Sequence, residues 1–214
     1  MDEVEWFAGA DPVPMLEFLR GQASDRKLRL FACACCYRVG RLFTGAHDRD
    51  ALAAVECFAD GPAGAGELSA VRGRTTNTAI LAAAGDRATS AAASAAAACA
   101  TLLGDASGMR DHPKGSGDCL AAEDGERKAQ CRLLRDIFGD PFRPVGFSQD
   151  WRTDTAVAIA RQMYDSRDFS AMPILADALQ DAGCDSDVIL NHCRGPGPHV
   201  RGCWVVDIIL SKDR

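Results

Sequence analysis

Apolar residues recur at steps of three and four along most of this chain, and polar punctuation cuts the pattern into helix-length pieces. Leu28, Phe31, Ala32, Cys35, Val39, Leu42 and Phe43 form the clearest run, a spacing that gives a helix one buried face. Ser24 followed by Asp25 marks its start. Ahead of it, Asp11 is placed to cap a short helix that Pro12 opens, Met15, Leu16, Phe18 and Leu19 make apolar, and Gly21 stops. Asp48 to Ala59 predicts a third helix through Leu52, Val55, Cys57 and Phe58, ended at Gly61-Pro62. Further along, helix is expected from about Glu126 through Cys131, Leu133, Leu134, Ile137 and Phe138, until Gly139-Asp140-Pro141 breaks it. Thr153 caps the next helix and Pro173 opens another. Asp185 or Ser186 starts a short one that ends near Cys193.

Between these blocks the pattern weakens. Residues 67–103 are dominated by alanine, which favours helix but buries little area per residue. Residues 104–125, with Gly104, Gly108, Pro113, Gly115, Gly117 and Gly125, lack periodicity and read as an exposed, flexible loop. Cys203 to Leu210 is apolar almost all round. Its valines and isoleucines favour strand, yet no second strand exists for it to pair with, so helix is the expectation. The fold class is therefore all-α, a single compact array of about eight or nine helices. An N-terminal helical region (1–103) with an Ala-rich middle and a C-terminal region (126–214) flank the loop at 104–125 and pack as one domain.

Composition narrows the function classes. A net charge of -6 and a pI near 5.2 give no basic footprint for nucleic acid. Arg26, Lys27, Arg29, Arg38 and Arg41 read as a solvated helix face. No apolar run reaches the roughly 20 residues of a membrane span, and the N-terminus carries Asp2, Glu3 and Glu5 where a signal peptide would be basic. The expected location is cytoplasmic. The ten cysteines then read as reduced thiols or metal ligands, not as a disulfide framework. Walker, dinucleotide-binding, paired-histidine metalloprotease and G-x-S-x-G patterns are all absent from the sequence.

The densest chemistry lies near the C-terminus. His192, Cys193, His199 and Cys203 have ligand types suited to zinc, and would approach four ligands if the Gly195-Pro-Gly-Pro198 turn folds back sharply. Cys33, Cys35 and Cys36 sit inside a strongly periodic helix, where close packing is the simpler role. Cys33 and Cys36 remain distant suppliers of further ligands. If Pro198 occupies a first helical turn, His199, Cys203 and Asp207 fall at i, i+4 and i+8 on one face, a catalytic Cys-His-Asp set. Two forces oppose that use. A helix N-terminus disfavours imidazolium, and burial keeps a thiol protonated. Asp207 suits a buried ion pair with Arg194 or Arg201, and Arg135-Asp136 with Arg143 invites the same structural reading.

Three blocks carry a family resemblance: Asp25-Arg-Lys-Leu-Arg-Leu-Phe-Ala-Cys-Ala-Cys-Cys36, Leu133 to Val145, and His192 to Asp207. The chain resembles, nearly end to end, an uncharacterised planctomycete family with FACACC and GPHVRGCWVVD blocks. Pro173 to Gly183 is similar to short repeat-companion domains of the same genomes. The resemblance implies no activity and no site residues. The expectation is a non-enzymatic protein-interaction or scaffold module whose partner is another protein, with no nucleic acid, membrane or cofactor involved. The alternatives are a zinc-binding protein using Cys193, His199, Cys203 and His192, and behind it a cysteine-dependent enzyme.

Overall fold

The computed structural model describes residues 1–61, 65–85, 87–108 and 117–212, and all regular structure among them is helical, as the apolar periodicity predicts. The chain divides into two compact units, Met1–Leu134 and Arg135–Arg214. The first holds α1 (Glu3–Ala8), α2 (Pro12–Leu19), α3 (Asp25–Val39), α4 (Asp48–Asp60), α5 (Ala65–Arg72), α6 (Thr78–Ala83), α7 (Ala88–Gly108) and most of α8 (Gly117–Phe138). The second begins in the last turn of α8. It continues through α9 (Asp154–Ser166), α10 (Met172–Asp181), α11 (Asp187–Arg194) and α12 (Trp204–Leu210).

In the first unit α3 is buried on more than one face, from Leu28 and Phe31 to Cys33, Cys35 and Cys36, because α7 packs along it and α4 and α6 flank it. Alanines at 91, 92, 95 and 96 on α7 let the two backbones approach closely. The charged groups drawn in are paired. Arg38 grips Glu126 through Nε at 3.1 Å and Nη2 at 3.0 Å, and Asp48 accepts from the Thr75 hydroxyl at 2.6 Å. A carboxylate as buried as Glu126 would be costly without such a fork.

The second unit closes around Met163, Tyr164, Leu175, Leu179, Ile189, Trp204, Val206 and Ile209. Thr153 caps α9 by accepting from the Ala156 amide at 3.2 Å, as its position predicts. Helix α12 packs against α9 and α11, and α10 against α9 and α11. The Arg152 guanidinium holds the far end of α12 through the Ile209 carbonyl at 2.7 Å. Helix, not strand, is the state of residues 204–210.

Two stretches of helix differ from expectation. Helix α1 is additional, fixed by a capping box in which Asp2 and Glu5 each accept the other's backbone amide. Within 104–125, residues 104–108 continue α7 and residues 117–125 open α8, while 109–116 lie outside the described residues. The division between the two units falls inside α8, at Leu134/Arg135. Among the described residues no helix is long and apolar enough to cross a membrane.

Candidate metal centre

Four side chains of the second unit converge. Asp136, His192, His199 and Cys203 each offer one ligand-type atom, and these atoms all lie within 4.8 Å of one another. They come from separate stretches of chain, so local structure must aim each one.

Asp136 lies in the last turn of α8, between core residues Leu133, Leu134 and Ile137. The helix ends at Gly139, whose φ of +64° is a left-handed conformation that glycine adopts without penalty. Its amide donates back to the Arg135 carbonyl at 2.9 Å. His192 stands near the end of α11, one residue from buried Cys193. The Gly195-Pro-Gly-Pro198 turn then folds the chain back. Gly197 has φ +76°, and an added Cβ there would stand 3.3 Å from the His199 ring. Gly202, at φ +92°, makes a final turn that delivers Cys203 as the N-cap of α12.

The contacts centre on the Asp136 carboxylate, whose side chain is 3% exposed. His199 Nδ1 donates to Oδ1 at 2.8 Å and the Val200 amide donates to Oδ2 at 3.0 Å. His192 Nε2 lies 3.3 Å from the same Oδ1 and 3.1 Å from the Cys203 sulfur. On the other side of the imidazole the Trp204 indole N–H donates to Nδ1 at 3.1 Å. The two histidine rings meet nearly edge to face, with centroids 4.9 Å apart. His199 Nε2 is buried with no hydrogen-bond partner.

Electrostatics follow from this enclosure. Burial alone would raise the Asp136 carboxyl, but hydrogen bonds from His192 and His199 outweigh it and hold the group below its ordinary value. Burial, reinforced by the Asp136 charge, pushes the Cys203 thiol well up against the opposing pull of the Val206 and Val205 amides. Cys193 is pushed up to about 12, mainly by burial and then by Cys184 and Asp136.

Of the ligands read from sequence, His192, His199 and Cys203 come together and Cys193 does not join them. Consecutive helical residues point about 100° apart, so His192 and Cys193 cannot both face one site. Asp136 takes the fourth place. Its partners are histidines and an amide, not the arginine pair that its neighbourhood suggests. The i, i+4, i+8 face of His199, Cys203 and Asp207 does not form: positive φ at Gly202 interrupts the chain, helix begins only at Trp204, and Asp207 is buried outside the four. Arg194 instead holds Asp177 at 3.0 Å, and Arg201 donates to the Tyr164 carbonyl at 2.7 Å. Cys33, Cys35 and Cys36 are buried in α3 and belong to no ligand group among the described residues.

No protein-family model, no curated protein and no solved structure matches the chain.

Proposed function

We propose that the protein is a zinc-binding helical module, with one ion held by Asp136, His192, His199 and Cys203 in the 135–214 unit. The observation that carries this reading is the convergence of two imidazoles, a thiol and a carboxylate within 4.8 Å, in a buried setting. The donor set is of the softness zinc prefers, and four protein ligands complete a tetrahedral shell. Charge supports it as well: a carboxylate and a thiolate together neutralise a divalent ion, which removes the cost of leaving Asp136 buried with its charge. Because the shell closes on protein atoms alone, the ion would be structural, tying the end of α8 to α11 and α12. A thiol as buried as Cys203 is poorly suited to act as a nucleophile.

Metal analysis of protein purified without a histidine tag tests the reading. About one zinc per chain is expected, falling to background in Cys203→Ser and Asp136→Asn. Less than roughly a tenth of an equivalent in the unaltered chain, even after refolding with zinc, would reject it.

Protein interaction retains one specific support in the first unit. A groove of about 590 Å³ runs between α1 and α2, lined by Ala8, Pro14 and Phe18 with acidic Glu5, Asp11 and Glu17, and Val4, Phe7 and Val13 stand exposed. An apolar face of this kind is what a partner covers. An environment-sensitive apolar dye should bind there and lose binding in Phe18→Ser, which removes the groove's aromatic wall; a chain that takes up no dye would leave the interaction reading without support.

A further inference from the structure

Trp204 bears on the same site, and the role inferred for it rests on the zinc reading. An indole N–H donates and has no lone pair to accept with. Its 3.1 Å bond to His192 Nδ1 therefore requires a lone pair at Nδ1, so a neutral His192 carries its proton on Nε2. Nε2 is the nitrogen that faces the site, 3.1 Å from the Cys203 sulfur and 3.3 Å from Asp136 Oδ1. A protonated nitrogen has nothing to give a metal. For Nε2 to ligate, the proton must sit on Nδ1, where it would point at the indole N–H across the same 3.1 Å. Two donors cannot share that separation, so metal and indole compete for one imidazole.

The spacing of the cluster agrees. Ligands at 2.0 to 2.3 Å from a tetrahedral zinc stand roughly 3.3 to 3.8 Å from each other. Two contacts, His199 Nδ1 to Asp136 Oδ1 at 2.8 Å and His192 Nε2 to the Cys203 sulfur at 3.1 Å, are shorter than that, while His192 Nε2 to Asp136 Oδ1 at 3.3 Å meets its lower edge. The cluster is held by its own network and must rearrange, widening at those two contacts, to take an ion. Trp204 stands where that widening would be felt: its ring is 3.1 to 3.3 Å from the point a Cβ on Gly139 would occupy. Only a residue without a side chain leaves the indole that place.

We propose that Trp204 is the latch of this site: by claiming His192 Nδ1 its indole N–H holds the imidazole in the tautomer that cannot ligate through Nε2, and zinc enters as the indole lets go. Trp204 is a positioning residue, acting through His192. It sets how tightly the site binds metal and reports whether the site is filled.

The experiment is nitrogen-15 NMR of the full chain, zinc-free and then zinc-loaded, with metal content measured on the same samples. Zinc-free, His192 should show its proton on Nε2. On loading, the pattern should switch to Nδ1–H, and the Trp204 indole proton should shift and exchange faster while those of Trp6 and Trp151 stay in place. Competition with a chelator should show Trp204→Phe binding zinc about tenfold more tightly, since the opposing hydrogen bond is gone. Zinc bound with the Trp204 signal unmoved, an Nδ1–H tautomer in the zinc-free chain, or weaker binding in Trp204→Phe would overturn the latch and leave the metal site standing. No zinc in either protein would overturn both. Should Trp204→Phe fail to fold, the two spectra of the unaltered chain decide the matter by themselves.

Discussion

At the level of a single residue, Asp136 ties the end of α8 to residues 192–200, because its carboxylate collects His192, His199 and the Val200 amide at one buried point. Asp136→Asn keeps the size but places an amide NH2 against N–H donors, which should cost about 3 kcal/mol in urea unfolding of the metal-free protein at neutral pH. The pH dependence follows from the lowered carboxyl. Unfolded, the group takes up its proton near pH 3.9, whereas folded it does so at a lower pH. The stability it gives is therefore complete above about pH 3.9 and is lost as pH falls through the folded value. The unaltered chain should show a steep acid limb in that window, and Asp136→Asn a shallower one; equal limbs would mean that Asp136 is not the group being titrated. The thiols give a second residue-scale expectation. With Cys193 near 12, its thiolate fraction at pH 8 is on the order of one in ten thousand. Exposed Cys57 should react with iodoacetamide in the native state while Cys193 and Cys203 wait for unfolding, as peptide mapping of the labelled protein would show.

At the scale of elements, the site depends on how helices stop. Helix α8 has to end one turn after Leu134, and it does so through Gly139, which both takes up a left-handed φ and yields space to the Trp204 ring. Gly139→Ala meets both demands at once. The φ of +64° should cost about 1 to 2 kcal/mol, with more added by displacing an indole 3.1 Å away. Gly183→Ala, at φ +86° and open around its Cβ position, carries a backbone cost at least as large and no contact, so a greater loss in Gly139→Ala than in Gly183→Ala reports the contact with Trp204. These endings also mark what sequence can express. Helices α2, α3 and α9 are legible because capping side chains and apolar stripes coincide, and α4, α10 and α11 because an apolar stripe meets Asp48, Pro173 or Ser186 at its start. Helix α1 is not, since six residues hold too few apolar positions for a period, although its Asp2–Glu5 capping box is a readable signal. The 104–125 stretch misleads because glycines dilute the pattern without preventing helix at 104–108 and 117–125. His192, His199 and Cys203 are legible by density. Asp136 is not, because it lies 63 residues from His199 and looks like one more charge on a helix beside Arg135.

For the molecule as a whole, the placement of the four proposed ligands decides which part of the chain zinc should stabilise. All four belong to the 135–214 unit, contributed by the end of α8, by α11, by the turn after it and by the start of α12. An ion that binds the folded site and not the unfolded chain adds stability of RT ln(1 + [L]/Kd), about 2.7 kcal/mol when free zinc stands a hundredfold above Kd. That stabilisation belongs to whatever must unfold to release the ion. Hydrogen exchange with and without zinc should thus slow at Leu190 to Arg194 and across Trp204–Leu210, the stretches that carry His192 and follow Cys203. Exchange along α3 and α7, which hold no ligand, should stay as it was, and a chelator should reverse the effect where it appears. Slowing spread evenly over both units would mean that zinc acts through the chain at large. Slowing confined to α11, α12 and the last turn of α8 would place the stabilising ion among Asp136, His192, His199 and Cys203.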